Sequence, residues 1–387
     1  MPTISPILPP ATLGLLGGGQ LGRFFVAAAH ELGYTVWVLD PDPHSPAGKI
    51  ADRHLQAPYE DSDALKTLAE HCAAVTTEFE NVPANTLETL AKSTVVHPSA
   101  QAVSICQNRI DEKNFLRAHG LPCGEFAAIL SAADLDAAAE TLFPGILKAA
   151  RFGYDGKGQA FVANRAEARA AWAAMNAPAV LEKRLKLDYE ISVVLARMAN
   201  GEVCAFPASE NTHRNGILDV SLSPPRRRAG KHDAICREAA ALAEKIAVAL
   251  SCVGTMAVEF FVSEGRLLVN EIAPRPHNSG HFTLDACVTN QFEQQVRALC
   301  GLPPGSPRAH TPSAMVNLLG DLWYDGGNTR EPDWSKLLQV PNLALHLYGK
   351  HQARPGRKMG HFTVLDADPQ RACDKAMAAR AAIGIED

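Results

Sequence analysis

The chain has 387 residues, 47% of them apolar and 20% charged, and carries a net charge of −5. That length predicts about two to three domains with sizeable cores, and the mild acidity excludes a general attraction to nucleic acid or to an anionic membrane. Nine scattered cysteines without a C-x-x-C pair, an N-terminus unlike a signal peptide and no apolar run of roughly 18 residues lead to the expectation of a cytoplasmic protein with reduced thiols.

Residues 12 to about 98 alternate short apolar runs with helical patterns, the sign of a parallel βαβ sheet. Strands are predicted at Thr12–Leu16, Thr35–Leu39, Ala73–Thr77 and Thr94–His97, and helices at Phe24–Leu32 and Ala64–His71. Between the first strand and first helix lies Gly17-Gly18-Gly19-Gln20-Leu21-Gly22, a G-x-G-x-x-G pattern, and Asp40 closes the next strand where dinucleotide folds place a ribose-binding acid. Amides at such a helix N-terminus suit a phosphate or other anion; a plain tight turn is the alternative. Glu78 and Glu80, after the third strand, either line an acceptor site or are simply loop acids.

A helix over Arg109–His119 leads to Leu121-Pro122, after which the strands read as antiparallel to about residue 205, with an alanine-rich helix at 165–175. Here a second glycine loop, Gly153-Tyr154-Asp155-Gly156-Lys157-Gly158-Gln159, follows Ile146-Leu147-Lys148. Its glycines and lysine suit a flap over a triphosphate, with Lys148 reaching the phosphates as a point charge. No G-K-[ST] follows, so this is not a Walker loop, and an exposed hairpin turn is the bland alternative. An amphipathic helix is predicted over His232–Leu250. Arg226-Arg227-Arg228 before it reads as a solvated loop or a nucleotide-phosphate contact.

The most informative segment runs from Gly254 to His281. It reads as two apolar strands, Met256–Ser263 and Leu267–Ile272, joined by a three-residue loop at Glu264-Gly265-Arg266. With Ser263 facing Leu267, Glu259 falls opposite Glu271 on one sheet face. Opposed buried carboxylates repel unless a cation lies between them, and two carboxylates plus substrate phosphates suit Mg²⁺. Two solvated glutamates are the alternative, which flanking Val258, Phe260, Phe261, Val269 and Ile272 make uncomfortable. Beyond it, 306–313 reads as a Pro- and Ser-rich linker, and the tail from about 314 has strand-like runs and a basic segment.

A lysine strand and glycine loop, then Glu259 and Glu271 with Arg275 four residues further, resemble the ATP-grasp ligases. More narrowly, GGGQLGR, FGYDGKGQ, NEIAPRPHNSGH and RPGRKMGH together resemble the N5-carboxyaminoimidazole ribonucleotide synthetase family over nearly the whole chain; Ala273 stands where the common ATP-grasp pattern has asparagine. The resemblance implies an α/β ATP-grasp fold: a Rossmann-like acceptor-binding (pre-ATP-grasp) domain at 1–122, a small α+β lid at 123–205 and a C-terminal α+β domain at 206–387, β-rich from about 314. It implies ATP, Mg²⁺ and bicarbonate without biotin, 5-aminoimidazole ribonucleotide as acceptor, small-molecule partners only and a homodimer. It assigns the nucleotide to Arg109, Lys148, the loop Gly153 to Gln159, the hinge Glu182-Lys183-Arg184-Leu185, Glu190, His213, Asn270 and Glu271, with the metal on Glu259 and Glu271. Arg275 is expected to bind bicarbonate, with His277, Asn278 and His281 on the same side; Tyr154 and Asp155 are expected at the aminoimidazole. Lys350, Arg357 and Lys358, otherwise a solvated basic face, are expected to share the ribonucleotide phosphate with Gly19, Gln20 and Leu21. Within ligases, a glycinamide ribonucleotide transformylase or a biotin carboxylase is the competing reading. From other classes come an NAD-dependent oxidoreductase, built on GGGQLG and Asp40, and a non-catalytic nucleotide-binding regulator.

Overall fold

The computed structural model describes residues 5–153, 158–225, 231–325 and 328–385. Strands β1 (Thr12–Leu16), β2 (Thr35–Leu39), β3 (Arg53–Leu55), β4 (Ala74–Thr77) and β5 (Val95–Val96) form a parallel sheet in the order β3-β2-β1-β4-β5. Their runs are almost continuously apolar because both faces are covered: Leu13, Leu15 and Val36 pack with Phe25 and Phe292, while Leu16, Leu39 and Val75 pack with Leu65, Leu68 and Leu87. The strand order switches sides at β1, so the glycine loop after β1 and the acids after β4 share the crevice at the strands' carboxyl ends.

Next, β6 (Phe126–Ile129), β7 (Gly145–Ala149), β8 (Gln159–Val162) and β9 (Ala179–Lys183) make an antiparallel sheet in the order β6-β9-β7-β8, packed under the Arg165–Met175 helix. The remaining large sheet is antiparallel. It takes β10 (Tyr189–Arg197), β11 (Val203–Ala205), β12 (Ser209–Arg214), β13 (Ile217–Ser223), β14 (Gly254–Ser263), β15 (Arg266–Ala273) and β16 (Ser313–Leu319). After a small ribbon of β17 (Tyr324–Asp325) and β18 (Asn328–Thr329), it is completed by β19 (Leu343–Leu347) and β20 (Lys358–Leu365). Its order is β15-β14-β10-β12-β13-β16-β20-β19, with β11 beside β10. A lid limit at 205 is therefore too late: β10 and β11 belong to the large sheet, since β10 pairs along its whole length with β14. The stretch 306–313 is not a free linker either, because the amides of Val288 and Thr289 donate to the carbonyls of Arg308 and Ser306.

The glutamate hairpin forms with a different turn and the expected pairing. Ser263 pairs with Arg266 across a two-residue turn, Glu264 and Gly265, both at positive φ (52° and 70°) as a type I′ turn requires. Alone, that turn would set Glu259 opposite Asn270 and turn Glu271 to the other face. A bulge intervenes: Phe260 pairs with Val269 and Glu259 with Glu271, leaving Asn270 as the extra residue.

The large sheet has two unlike faces. Ile191, Val193, Val258, Phe260 and Ile272 pack against Ala239, Ala243 and Ile246 of the Lys231–Ala249 helix. The opposite face carries polar rows that the register aligns across five strands: Glu271–Glu259–Ser192–Ser209, and beside it Glu190–Asn211–Ser221.

Candidate active site

Glu259 lies directly across from Glu271 on this polar face. Burial first, and then the Glu271 charge, push the Glu259 carboxyl up to about 7. Glu271 is partnered by Arg109 at 3.1 Å, and Arg109 also donates to the Gly153 carbonyl at 3.2 Å, which ties the helix Arg109–Ala118 to the start of the lid loop. Asn270, placed by the bulge, approaches Glu259 at 3.4 Å through Nδ2. Two opposed carboxylates, one held above its ordinary range by burial and then by the other's charge, fit a hard divalent cation with oxygen ligands.

Beneath the hairpin lies a buried charge cluster. Glu182 sits between Lys148 at 3.1 Å and Lys113 at 3.6 Å, and Lys113 also donates to the Asn270 carbonyl at 2.9 Å. Burial acts to raise Glu182, but the two ammonium groups outweigh it and hold the carboxyl well below its usual range. Burial also lowers Lys148. Glu112 accepts from the Ile272 amide at 2.9 Å and is pushed up to about 7, chiefly by burial. Sequence reasoning missed Lys113 and Glu112. Lys113 stands at helical spacing between buried Ile110 and Leu116, and a lysine on an apolar helix face was the signal available.

The residues expected at the nucleotide are divided between the small antiparallel sheet and the large one. Lys148 sits on β7 facing the cluster, whereas the Glu182 carboxylate faces inward to the lysines instead of outward to an adenine edge. The Lys183 ammonium bonds Glu125 at 2.7 Å, and the amides of Lys183 and Arg184 donate to the Glu125 and Pro144 carbonyls. The Arg184 guanidinium lies over the Phe161 ring. Leu185 is the next residue beyond these bonded amides. Glu190 and His213 are brought together, Oε2 to Nδ1 at 3.0 Å; burial opposes charging of His213, but Glu190 and Glu259 raise it. Gln159 opens β8 directly after Gly158; Tyr154, Asp155, Gly156 and Lys157, like Arg226-Arg227-Arg228, lie outside the described residues.

On the acceptor side, the loop of Gly19, Gln20 and Leu21 is already engaged within the protein. The anion at this helix N-terminus is the protein's own Glu78: its carboxylate accepts from the amides of Gly19 and Gly22, the latter at 2.6 Å, while Asp40 accepts from Gly18 at 2.7 Å. Leu21 is buried in the core against Phe25 and Val296. A phosphate in the loop would have to displace both carboxylates. The same occupancy sets aside the NAD-dependent reading, since Asp40 is bonded to Gly18 and to the Tyr59 hydroxyl at 2.7 Å.

Arg275 is paired with Glu80: Nε and Nη2 both reach its carboxylate, the latter at 3.2 Å, and Nη1 donates to the Pro276 carbonyl at 3.1 Å. Burial opposes it, but this guanidinium holds Glu80 below its ordinary range. Glu80 is thus part of the cleft, and the Arg275 fork is engaged within the protein. Both Lys350 and Lys358 turn toward the crevice: Lys350 donates to the Lys358 carbonyl, its charge is felt at Glu78, and that of Lys358 at Glu80, Glu259 and His277. Arg357 faces the rim, donating to the Gln352 carbonyl at 2.7 Å and sensing Asp42. His277 places Nε2 at 3.5 Å from Glu259, and burial holds its pKa well below the usual range. Asn278 is buried, with Oδ1 unpartnered. His281 does not join them: it is fully buried, stacked on His361 at 4.6 Å and held by Gln291.

A metal-type carboxylate pair on a sheet face, a lysine on a strand of a small antiparallel sheet, and a parallel domain alongside define an ATP-grasp ligase. The chain accordingly matches the ATP-grasp domain over residues 114–292, the ribonucleotide synthetase preATP-grasp domain over 10–107 and the phosphoribosylaminoimidazole carboxylase C-terminal domain over 313–375. It is 41% identical over 362 residues to the N5-carboxyaminoimidazole ribonucleotide synthase of Bacillus subtilis, covering 93% of this chain and 92% of that one. With the enzyme of the same name from Brucella melitensis the identity is 42% over 363 residues, covering 92% and 96%. Among solved structures, the ADP complex of the Staphylococcus aureus N5-carboxyaminoimidazole synthetase superposes with a TM-score of 0.88 at 36% identity, covering 97% of this chain and 99% of that one. The Aspergillus clavatus enzyme with ADP and 5-aminoimidazole ribonucleotide gives 0.87 at 32%, covering 96% and 98%. The chain belongs to the N5-carboxyaminoimidazole ribonucleotide synthase family.

Proposed function

We infer that this chain is the ATP-dependent ligase of purine biosynthesis that carboxylates 5-aminoimidazole ribonucleotide with bicarbonate, yielding N5-carboxyaminoimidazole ribonucleotide, ADP and phosphate. The observation that carries the reading is the Glu259–Glu271 pair, set between a lid bearing Lys148 and a crevice bearing Glu80, Arg275 and Lys358.

Bicarbonate is a weak nucleophile and CO₂ must be delivered dry, so the protein's task is charge neutralisation and exclusion of water. Glu259 and Glu271 would hold Mg²⁺, which would supply charge neutralisation at the phosphoryl oxygens. Lys148 and Arg109 add fixed positive charge on the lid side, and Arg109 bridges Glu271 to the Gly153 carbonyl. Attack of bicarbonate oxygen on the γ-phosphorus, with ADP leaving, gives carboxyphosphate, which breaks down to CO₂ and phosphate. The amine adds to CO₂ and surrenders a proton, for which we assign Asp155 as acceptor. Arg275, with one edge on Glu80, is assigned to the oxyanion, and Lys350, Lys358 and Arg357 to the ribonucleotide phosphate.

ADP release from Mg-ATP and bicarbonate, with and without 5-aminoimidazole ribonucleotide, tests the assignment. Strong stimulation by the ribonucleotide is expected; folded protein that binds ATP without stimulation would sink the acceptor. The homodimer implied by the resemblance is tested by sedimentation. Among the described residues no helix is long and apolar enough to cross a membrane.

A further inference from the structure

The sheet face that carries Glu259 also carries a row of small buried polar side chains. Ser192, Ser209, Asn211 and Ser221 sit on it by register, and Ser279 meets them from the loop after β15. All five are buried, Asn211 being the most exposed at 5%. A buried hydroxyl costs stability unless it is bonded, so these groups must satisfy one another.

They do so in one direction. Ser221 Oγ donates to Asn211 Oδ1 at 2.7 Å, and Asn211 Nδ2 donates to Ser192 Oγ at 2.9 Å. Ser192 Oγ, which also neighbours Ser209 Oγ at 3.0 Å, donates to Ser279 Oγ at 2.7 Å. The Ser279 hydroxyl proton is thereby left for His277 Nδ1 at 2.9 Å, and the Ser279 backbone amide points at the same nitrogen at 3.3 Å. A nitrogen that accepts from an amide carries no proton of its own, so the ring proton resides on Nε2, the atom facing Glu259. Gln291 fixes the loop beneath: its Oε1 accepts from the His277 amide and its Nε2 donates to the His277 carbonyl, both at 2.8 Å.

We propose that Ser279, backed by Ser192 and Asn211, is a positioning residue that holds His277 as the Nε2–H tautomer, aimed at Glu259, and so orients that carboxylate toward Glu271. The inference rests on the reading of Glu259 as a metal ligand. Outer partners of this kind typically alter metal affinity by about tenfold or more.

Two readouts on the full chain test it. In metal-free protein, ¹⁵N shifts of the His277 ring should report an unprotonated Nδ1 and a protonated Nε2. Ser279→Ala, and Ser192→Ala as a second variant should the first misfold, should shift the ring toward a tautomer mixture and weaken Mn²⁺ binding by about tenfold. A protonated Nδ1 in the unaltered protein, or Mn²⁺ affinity within twofold of it in folded variants, would overturn the proposal. Glu259→Gln separates the two claims: Mn²⁺ bound as tightly by this variant would overturn the metal reading itself, whatever the tautomer.

Discussion

The opposed glutamates make metal binding a proton-linked event. With the Glu259 carboxyl at about 7, roughly a tenth of it is ionised at pH 6 and roughly nine-tenths at pH 8. Only the ionised form ligates, so apparent Mn²⁺ or Mg²⁺ affinity should rise about tenfold across that window, about 1.4 kcal/mol, with about half a proton released per ion at pH 7. Calorimetric titration in two buffers of different ionisation enthalpy reads both quantities. The same linkage acts on folding. A carboxyl raised in the fold takes up an extra proton relative to the unfolded chain between its ordinary value of 4.5 and about 7. Stability contributed by that proton is present below this window and is lost as pH rises through about 7. In metal-free protein Glu259 alone accounts for a loss of about 3 kcal/mol, and saturating Mn²⁺ should abolish it. Glu271→Gln should move the pH dependence to lower pH while weakening the ion, because it removes a ligand and the repelling charge but leaves the burial that chiefly raises Glu259. Affinity that is flat from pH 6 to 8, with no proton released, would refute the account of a repelling buried pair.

Glu182→Gln leaves Lys113 and Lys148 facing each other without their carboxylate, and should cost roughly 3–5 kcal/mol in urea unfolding; a loss below about 1 kcal/mol would mean that water reaches the cluster. Glu78→Ala empties the glycine-loop anion site, so sulfate should raise the melting temperature of this variant and leave the unaltered protein unmoved. Arg275→Lys keeps the charge but loses the two-pronged grip on Glu80, and should lower kcat/KM for bicarbonate about tenfold or more with ATP affinity retained; normal bicarbonate kinetics would remove Arg275 from the oxyanion site.

The sequence made the hairpin legible because two glutamates interrupt apolar strands that period-2 alternation defines. It left the turn illegible, since a type I′ turn with a bulge and a three-residue loop without one place Glu259 opposite Glu271 alike. The lid limit is hidden in the sequence for a related reason: β10 alternates like the lid strands before it, and only its pairing with β14 reveals its sheet. Gly17 to Gly22 declares an anion site but not which anion; the answer, Glu78, lies 59 residues from Gly19. Ser192, Asn211 and Ser221 are each ordinary in their own strands, and their meaning appears only when register lines them up beside Glu259.

The Glu78 carboxylate has a consequence for ligand choice. A glycine loop of this shape is an open invitation to pyrophosphates, and a cell holds many dinucleotides. By seating its own side chain there, the protein answers the invitation intramolecularly, with an anion at fixed, high effective concentration and two charge-assisted bonds already formed. An incoming pyrophosphate must evict that resident into a buried crevice already carrying Asp40. The loop keeps its role as the start of a helix while its amides are taken by the protein's own carboxylates, so any ligand there competes with a resident and meets no steric wall.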